Sequence, residues 1–278
     1  MDILVTAPWL IDNLDQVKIL DASTHLPVAG RNADEEFAAA RIPGAVRFDI
    51  NKIADHTSDL PHMIPPAAEF AAAMGALGLG NDDHIVIYDD SAILPAARVW
   101  WMLRLFGHAK VSVLNGGLNA WKVAGGTLDT SPATAPTTTS YAVAPSVGAQ
   151  VITMPTIRAM MEADAAGQIA DARPAARFSG ESPEPRPGLR AGHIPGSSNV
   201  PLLSLVDENG LYKDADAIRA AFDAGGIDPD RPMIASCGSG VTACGLALGA
   251  ALLGNEQVFV FDGSWTEWGS SDAPIETS

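Results

Sequence analysis

Cys237 lies in a segment whose residue types favour nucleophilic chemistry at sulfur. It follows the apolar run 232–236 and precedes a glycine–serine–glycine loop at 238–240, and an apolar helical pattern begins at Thr242. This order predicts a strand, a tight loop and a helix, which puts Cys237 at the carboxyl end of a parallel strand, where open α/β sheets bind ligands. The two glycines allow successive N–H groups to point at one anion, and the helix N-terminus adds partial positive charge. The loop therefore favours a thiolate, and equally a persulfide anion, at this cysteine.

Other interpretations of Cys237 start from the same residues. Free cysteine is among the most buried residue types, so an inert core cysteine is one alternative. Cys244, seven positions on, is predicted to be such a core residue. A cysteine phosphatase requires an arginine six residues after the cysteine to clamp the phosphoryl oxygens, and this position is Ala243, which argues against that class. Two cysteines are also too few for a disulfide scaffold or a four-cysteine zinc site.

A second candidate cluster is rich in arginine. Four of the twelve arginines lie within the 18 residues 173–190, although the whole chain has a net charge of −16. Since a guanidinium holds a carboxylate through two parallel hydrogen bonds, this segment predicts a local cationic pocket for a small carboxylic acid. The alternative is that some of these arginines pair with Glu181 and Glu184 on a solvated loop.

The composition limits the class of protein and its partners. With 278 residues, of which 47% are hydrophobic, the chain is long enough for two domains with full cores. The excess of 33 acidic over 17 basic residues repels nucleic acid and anionic membrane surfaces, so neither kind of partner is expected. The longest apolar stretch, 241–254, is too short to span a bilayer and predicts a buried helix. The N-terminus lacks the basic region of a signal peptide, so a cytoplasmic location is expected.

The two halves of the chain repeat the same order of segments. Matching segments are 17–23 with 167–173, 40–50 with 191–201, and 84–90 with 232–238. Between the halves, residues 127–150 are rich in Thr, Pro, Ala and Ser and nearly free of charge, which predicts an extended linker. Short apolar runs alternate with helical segments, which indicates βαβ units and a mostly parallel sheet flanked by helices on both faces. The predicted fold class is therefore α/β, with two tandem domains at 1–126 and 151–278.

The first half is predicted to be a non-catalytic scaffold. Asp89 stands at the position that corresponds to Cys237, and a carboxylate cannot carry a persulfide. The aromatic and apolar run 99–103 is most simply the core face of a helix.

The loop 237–243, the paired Asp-Ala and Ile-Pro-Gly copies and the terminal segment 263–268 together resemble the two-domain rhodanese family over nearly the whole chain. Thiosulfate-preferring members place basic residues directly after the cysteine, whereas this glycine–serine–glycine loop is similar to that of the 3-mercaptopyruvate sulfurtransferases. The resemblance implies that Cys237 takes the sulfur of 3-mercaptopyruvate and releases pyruvate. The persulfide then passes its sulfur to cyanide, a small thiol or thioredoxin, with no metal or organic cofactor. A nucleophile that stores a group splits one difficult transfer into two easier ones.

The resemblance also implies roles for individual residues. Ser239 would orient the substrate or Cys237, or would only stabilise the turn. Arg177 and Arg186 match the family's two substrate-carboxylate arginines. The remaining loop positions, predicted to surround the substrate, are Gly238, Gly240, Val241 and Thr242. Thr242 also has the position of a helix N-cap.

His62 matches a family histidine that faces the active site as an acid/base or substrate contact. A surface position is the alternative for this histidine. Some relatives have an acidic residue where this chain has Asn51. An amide carries no negative charge to stabilise an imidazolium, so the sequence does not support a three-residue relay.

Two other functions remain alternatives to mercaptopyruvate sulfur transfer. One is a thiosulfate:cyanide sulfurtransferase, with the same fold and nucleophile but a different donor. The other is a non-catalytic rhodanese-like binding module, against which the intact Cys237 loop argues.

Overall fold

The structure is a computed structural model that describes residues 1–165 and 167–278. These residues form two compact units, each with its own sheet and apolar core. The first unit contains Met1–Asp55, Pro65–Val147 and Glu208–Leu211, and the second contains His56–Ile64, Gly148–Asp207 and Tyr212–Ser278.

Strands and helices alternate along the first unit. Over residues 1–147 they are β1 (Leu4–Val5), α1 (Ala7–Asn13), β2 (Lys18–Asp21), α2 (Ala33–Ala39), β3 (Ala45–Arg47), α3 (Ala67–Ala76), β4 (Ile85–Tyr88), α4 (Ala96–Leu105), β5 (Val111–Leu114) and α5 (Gly117–Val123). The strands pair in parallel in the order β1-β5-β4-β2-β3. Every residue of β4 is buried, as expected for a central strand covered on both faces. The run 99–103 lies in α4 and is buried throughout, which confirms its prediction as a core helix.

The second unit repeats this arrangement. Over 148–165 and 167–278 its elements are β6 (Gln150–Ile152), α6 (Met154–Glu162), β7 (Gln168–Asp171), α7 (Ala175–Phe178), β8 (Ser198–Asn199), α8 (Ala215–Ala224), β9 (Met233–Ser236), α9 (Ala243–Leu252), β10 (Val258–Phe261) and α10 (Ser264–Ser270). The parallel order β6-β10-β9-β7-β8 is the same as in the first unit. β9 is buried at all four positions and leads directly to Cys237.

The helix that follows the cysteine loop, α9, is packed on all sides. Its residues from 243 to 250 are all buried. A Cβ atom at Gly249 would lie 2.7 Å from Cδ1 of Leu205, and Gly245 faces Leu202 in the same way, so the two glycines let the helix approach the turn Leu202–Leu205 closely. The buried helix predicted within 241–254 is thus present. In the described parts of the chain, no helix has both the length and the hydropathy that a membrane span requires.

Most of the segment predicted as a linker packs on the first unit, which extends to Val147. Arg41 donates to Asp129 at 2.8 Å, and the N–H of Thr139 donates to the carbonyl of Gly75 at 2.9 Å. Tyr141 is buried. These contacts tie the segment to that unit's helices and loops, while the domain limits 1–126 and 151–278 stay a prediction.

Candidate active site

The backbone of the Cys237 loop is held by one buried hydroxyl. The N–H groups of Cys237 and Gly240 both donate to Oγ of Ser264 at 3.1 Å, and that hydroxyl donates to the carbonyl of Phe261 at 2.7 Å. The Ser264 oxygen lies 3.9 Å from Sγ of Cys237, which is 1% exposed. Ser264 adopts a left-handed backbone with φ of 49°, which aims its side chain back at the loop. The sequence predicted convergent loop N–H groups, and the structure places a serine oxygen at the point where two of them converge.

The start of α10 binds the carbonyl side of the same loop. The N–H of Trp265 donates to the carbonyl of Cys237 at 2.9 Å. Thr266 donates to the carbonyl of Gly238 from its N–H at 2.9 Å and from its hydroxyl at 2.6 Å. With these carbonyls occupied, the loop has a fixed conformation. The N–H groups of Ser239, Val241 and Thr242 have no acceptor within 1–165 and 167–278.

Cys244 and Thr242, which follow the glycine–serine–glycine loop, each carry a prediction that the structure tests. Cys244 is completely buried, and its thiol donates to the carbonyl of Gly240 at 3.2 Å, which agrees with its prediction as a core residue. Thr242 occupies the N-cap position of α9, but its backbone is already helical and its side chain makes no capping hydrogen bond. The capping role predicted for Thr242 is therefore wrong, because a capping side chain needs an extended backbone to reach back to the first turn.

His62 belongs to the second unit and contacts the cysteine loop. Its Nδ1 lies 3.0 Å from Oγ of Ser239, a hydrogen bond in which either atom is the donor. Ser239 is 7% exposed, and His62 is half-buried with a left-handed φ of 63°. Two residues on, the N–H of Ile64 donates to Oδ2 of Asp262 at 2.8 Å, which fixes the segment 56–64 on the second unit.

Asn51 lies in the first unit, where its amide donates to Asp49 at 3.0 Å and is 3.4 Å from Oγ1 of Thr24. Burial opposes the charge of Asp49, but hydrogen bonds from Asn51 lower the pKa of this carboxyl below its ordinary value. The amide that replaces an acidic residue therefore stabilises a neighbouring carboxylate.

The arginine segment forms a buried ionic network rather than a solvated loop. Glu184, whose side chain is 1% exposed, accepts from Arg173 at 2.8 Å and from Arg177 at 2.5 Å. Arg173 also donates to Asp171 through Nε and Nη2, at 3.0 and 2.7 Å. Burial alone would lower the pKa of Arg173, yet Asp171 and Glu184 raise it. Nη2 of Arg177 lies 3.1 Å from the position of a Cβ at Gly238, so this guanidinium touches the cysteine loop.

Arg186 differs from Arg177 in having no ion-pair partner among the residues that the structure describes. It is half-buried. Burial lowers the pKa of its guanidinium, the charge of Cys237 opposes this shift, and repulsion from Arg177 adds to it. Arginine stays protonated in spite of such shifts. Arg186 is therefore a cation whose pKa responds to the charges of Cys237, Arg177 and Glu184 and that makes no ion pair with a described residue.

The other arginine and histidine of this region bind the backbone. Arg190 donates to the carbonyls of Gly269 and Ala273 at 3.2 and 2.8 Å. His193 is stacked on the ring of Phe178, with Nδ1 2.9 Å from the Phe178 carbonyl. Both therefore stabilise the fold around the site.

In the first unit, Asp89 follows β4 as Cys237 follows β9. Its Oδ2 accepts from the N–H of Ala96, the first residue of α4, at 2.8 Å. Burial raises the pKa of Asp89 to about 7, and the nearby carboxylates of Asp21 and Asp90 contribute to the rise. A carboxyl that accepts a hydrogen bond from the first N–H of α4 thus occupies the position that Cys237 has in the second unit.

Several residues of the site were not found from the sequence. Ser264 and Thr266 belong to the terminal segment 263–268, whose sequence indicates only the family resemblance. The sequence indicates Glu184 only as a partner for surface arginines, and it indicates no role for Asp262. The available signals were a polar residue directly after an apolar strand, for Asp262, and a lone acid between prolines in an arginine-rich segment, for Glu184.

The chain repeats a five-stranded parallel α/β unit twice, and one copy has a cysteine at the end of a central strand. Comparison with known proteins identifies the family with this arrangement. A family model described as "Rhodanese-like domain" matches residues 6–124 and 153–271. The chain belongs to the rhodanese family, in two tandem copies. This confirms the predicted family and the predicted fold class of parallel sheets flanked by helices.

Relatives with described activities cover nearly the whole chain. The chain is 43% identical to the 3-mercaptopyruvate sulfurtransferase of Escherichia coli (strain K12) over 276 residues, which is 98% of this chain and 97% of the relative. It is 41% identical to the mitochondrial thiosulfate/3-mercaptopyruvate sulfurtransferase 1 of Arabidopsis thaliana, over 99% of this chain and 78% of the relative. The crystal structure of SseA from Escherichia coli, titled as a 3-mercaptopyruvate sulfotransferase of rhodanese fold, superposes with a TM-score of 0.85 at 41% identity, over 95% of this chain and 99% of that one.

Proposed function

We propose that this protein is a sulfurtransferase that moves sulfur from 3-mercaptopyruvate, through a persulfide on Cys237, to a thiol or to cyanide. The observation that carries the proposal is the fixed loop around Cys237, a cysteine that follows a central strand. The N–H groups of Ser239, Val241 and Thr242 in this loop make no hydrogen bond with a described residue. The relatives of nearly equal length named 3-mercaptopyruvate sulfurtransferase support the choice of donor.

The proposed reaction has two displacements at sulfur. The Cys237 thiolate attacks the thiol sulfur of 3-mercaptopyruvate, and the carbon–sulfur bond breaks with its electron pair on carbon. The resulting pyruvate enolate takes a proton, which balances the proton lost by the donor thiol, and pyruvate leaves. In the second step an acceptor nucleophile attacks the outer sulfur, the sulfur–sulfur bond breaks, and Cys237 leaves as a thiolate. In each step, the anion on Cys237 is either a thiolate or a persulfide, and backbone N–H groups of the loop stabilise both of these anions.

We assign proton movement in the first step to Ser239 and His62. The donor proton must pass from sulfur to carbon, and a serine hydroxyl hydrogen-bonded to an imidazole at 3.0 Å can accept and return it. Ser239 lies on the same loop as Cys237, two residues further along the chain.

We assign the donor carboxylate to Arg186, with Arg177 beside it. The guanidinium of Arg186 forms no ion pair with a carboxylate of the described residues, whereas Arg177 is paired with Glu184. A planar guanidinium binds a carboxylate through two hydrogen bonds and holds the donor in one orientation. The backbone of Gly238, Gly240, Val241 and Thr242 would then surround the transferred sulfur.

The acceptors proposed for the second step are small thiols or thioredoxin, with cyanide as an acceptor in vitro. We also propose a cytoplasmic location for this protein.

The test compares donors in one assay. Pyruvate release from 3-mercaptopyruvate and sulfite release from thiosulfate are measured with cyanide as acceptor, for the wild type and for Cys237→Ser. We expect faster turnover of 3-mercaptopyruvate and no turnover by the variant. Cys244→Ser is the matched control, because Cys244 lies seven residues on in the core, and it should retain transfer. Turnover by Cys237→Ser would rule out Cys237 as the nucleophile.

Two alternatives have distinct outcomes in the same assay. Preference for thiosulfate would indicate a thiosulfate:cyanide sulfurtransferase, an activity that the name of the Arabidopsis relative includes. No turnover of either donor, together with failure of iodoacetamide to modify Cys237 in the folded protein, would indicate a non-catalytic binding module.

A further inference from the structure

The Glu184 carboxylate forms an ion pair with one arginine of the site, Arg177, and not with the other, Arg186. Its carboxylate binds Arg177 through both oxygens, with Nε to Oε1 at 3.2 Å and Nη2 to Oε2 at 2.5 Å. The side chain of Glu184 is 1% exposed and that of Arg177 is 19% exposed. Solvent therefore screens this pair only weakly, and the charge of Arg177 is cancelled locally.

The charges around the cysteine loop can be counted from these contacts. Asp171 and Glu184 are the two acids of the network, and Arg173 and Arg177 are its two bases. The four charges sum to zero. Arg186 is the additional cation. It makes no ion pair with a described residue, although the charges of Cys237 and Glu184 raise the pKa of its guanidinium against the lowering by burial and by Arg177. With Cys237 as a thiolate, the site has one guanidinium for one donor carboxylate.

We infer that Glu184 sets the donor preference by cancelling the charge of Arg177, so that the site favours donors with a single negative charge over dianions. This inference rests on the proposed sulfur transfer. 3-Mercaptopyruvate with its thiol protonated is a monoanion, whereas thiosulfate is a dianion. Among the described residues of this network, a second charge on the donor meets no second unpaired guanidinium, and it is repelled by the Cys237 thiolate. Glu184 acts through Arg177 and is a specificity-determining positioning residue.

The variant Glu184→Gln tests the inference because it keeps the size of the side chain and removes its charge. Arg177 then becomes a second free cation, while Arg173 keeps Asp171. We expect the ratio of kcat/KM for thiosulfate to kcat/KM for 3-mercaptopyruvate to rise about tenfold, equivalent to about 1.4 kcal/mol. The rise should shrink as the salt concentration increases.

Two further variants separate charge from structure. Glu181→Gln removes an exposed carboxylate three residues away and should leave the ratio unchanged. The double variant Glu184→Gln with Arg177→Gln removes both charges of the pair, so the ratio should return towards the wild-type value. A loop that was merely loosened by Glu184→Gln would not recover its donor ratio in this way.

A binding measurement on the wild-type protein keeps the inference testable if Glu184→Gln does not fold. Titration calorimetry compares pyruvate, a monoanion, with sulfate, a dianion. Sulfate that binds no more tightly than pyruvate supports the inference, and sulfate that binds tenfold more tightly overturns it.

The outcomes distinguish the two proposals. A wild type that turns over neither donor overturns the proposed function, and the pyruvate and sulfate titrations then decide the role of Glu184. A wild type that turns over 3-mercaptopyruvate, with the same donor ratio in Glu184→Gln, leaves sulfur transfer in place and overturns the role of Glu184.

Discussion

The imidazole of His62 and the hydroxyl of Ser239 are hydrogen-bonded at 3.0 Å although 177 residues separate them in sequence. The contact depends on the segment 56–64, which belongs to the second unit and is tied to it by the bond from Ile64 to Asp262. Ser239 in turn lies on a loop whose backbone is held by Ser264. The hydrogen bond is therefore prepared by the fold before any substrate binds, as proton transfer requires.

Removal of either partner should slow the first sulfur transfer. We expect Ser239→Ala and His62→Gln each to lower kcat/KM for 3-mercaptopyruvate by about 100-fold, the lower end of general acid/base effects. Because the two groups act in one path, the double variant should be little slower than either single variant. Steady-state pyruvate release measures this, with His25→Gln as a histidine control in the first unit. Additive losses in the double variant would show that the two groups act independently.

Arg186 should matter for donor binding more than for protein stability, because it has no ion-pair partner among the described residues to lose. We expect Arg186→Gln to lower kcat/KM for 3-mercaptopyruvate by about 100-fold, as expected for a bidentate contact to a charged group worth a few kcal/mol. Arg186→Lys should recover part of the loss, since it restores the charge without the planar fork. Arg158→Gln, which removes an exposed arginine paired with Asp272, is the control. An unchanged kcat/KM in Arg186→Gln would remove Arg186 from the donor site.

The sequence predicted the strand, loop and helix around Cys237 because these follow from local apolar patterns and from glycine. It did not predict that Ser264, 27 residues later, would bind the N–H groups of that loop. Such a contact depends on a left-handed backbone at one serine, which no hydrophobic period indicates. The sequence indicates Glu184 as a partner of the arginines, which the structure confirms, but it does not indicate that this carboxylate is buried. A segment rich in proline and charge indicates a solvated loop, and only tertiary structure places this carboxylate between two arginines.

The hydroxyl of Ser264 should be required for the loop geometry. Ser264→Gly removes the hydroxyl and tolerates the left-handed backbone, whereas Ser264→Ala removes the hydroxyl and retains backbone strain. Both variants lose the acceptor for two N–H groups, so we expect destabilisation of about 1–3 kcal/mol in each. Because the loop that positions Cys237 is loosened, kcat should fall by about tenfold or more in both.

Urea unfolding and steady-state turnover measure the two effects of Ser264 separately. Ser270→Ala removes the hydroxyl of a serine at the far end of the same helix, α10, and should change neither quantity. Full activity in both Ser264 variants would contradict a role for this hydroxyl in positioning the cysteine.

Asp89 should make the stability of the first unit depend on pH. Its pKa is raised by burial from 3.8 to about 7 in the folded protein, so the folded state binds this proton more tightly than the unfolded state does. The contribution is favourable below about pH 4 and is lost as the pH rises through about 7. Asp89→Asn cannot ionise, and its carbonyl oxygen can still accept from Ala96. Relative to the wild type, we therefore expect the variant to gain stability between pH 5 and pH 8, on the order of 2 to 4 kcal/mol.

Thermal unfolding at pH 5 and pH 8 measures this difference. The melting temperature of the wild type should fall more between the two pH values than that of Asp89→Asn. Asp82→Asn removes a fully exposed carboxylate on the same unit and should keep the wild-type pH dependence. Parallel pH dependence in the wild type and Asp89→Asn would mean that Asp89 ionises as readily in the folded protein as in the unfolded chain. In that case the partial positive charge at the N-terminus of α4 would stabilise the Asp89 carboxylate enough to offset the cost of its burial. The presence of an aspartate at this position, where the second unit has Cys237, would then not lower stability at neutral pH.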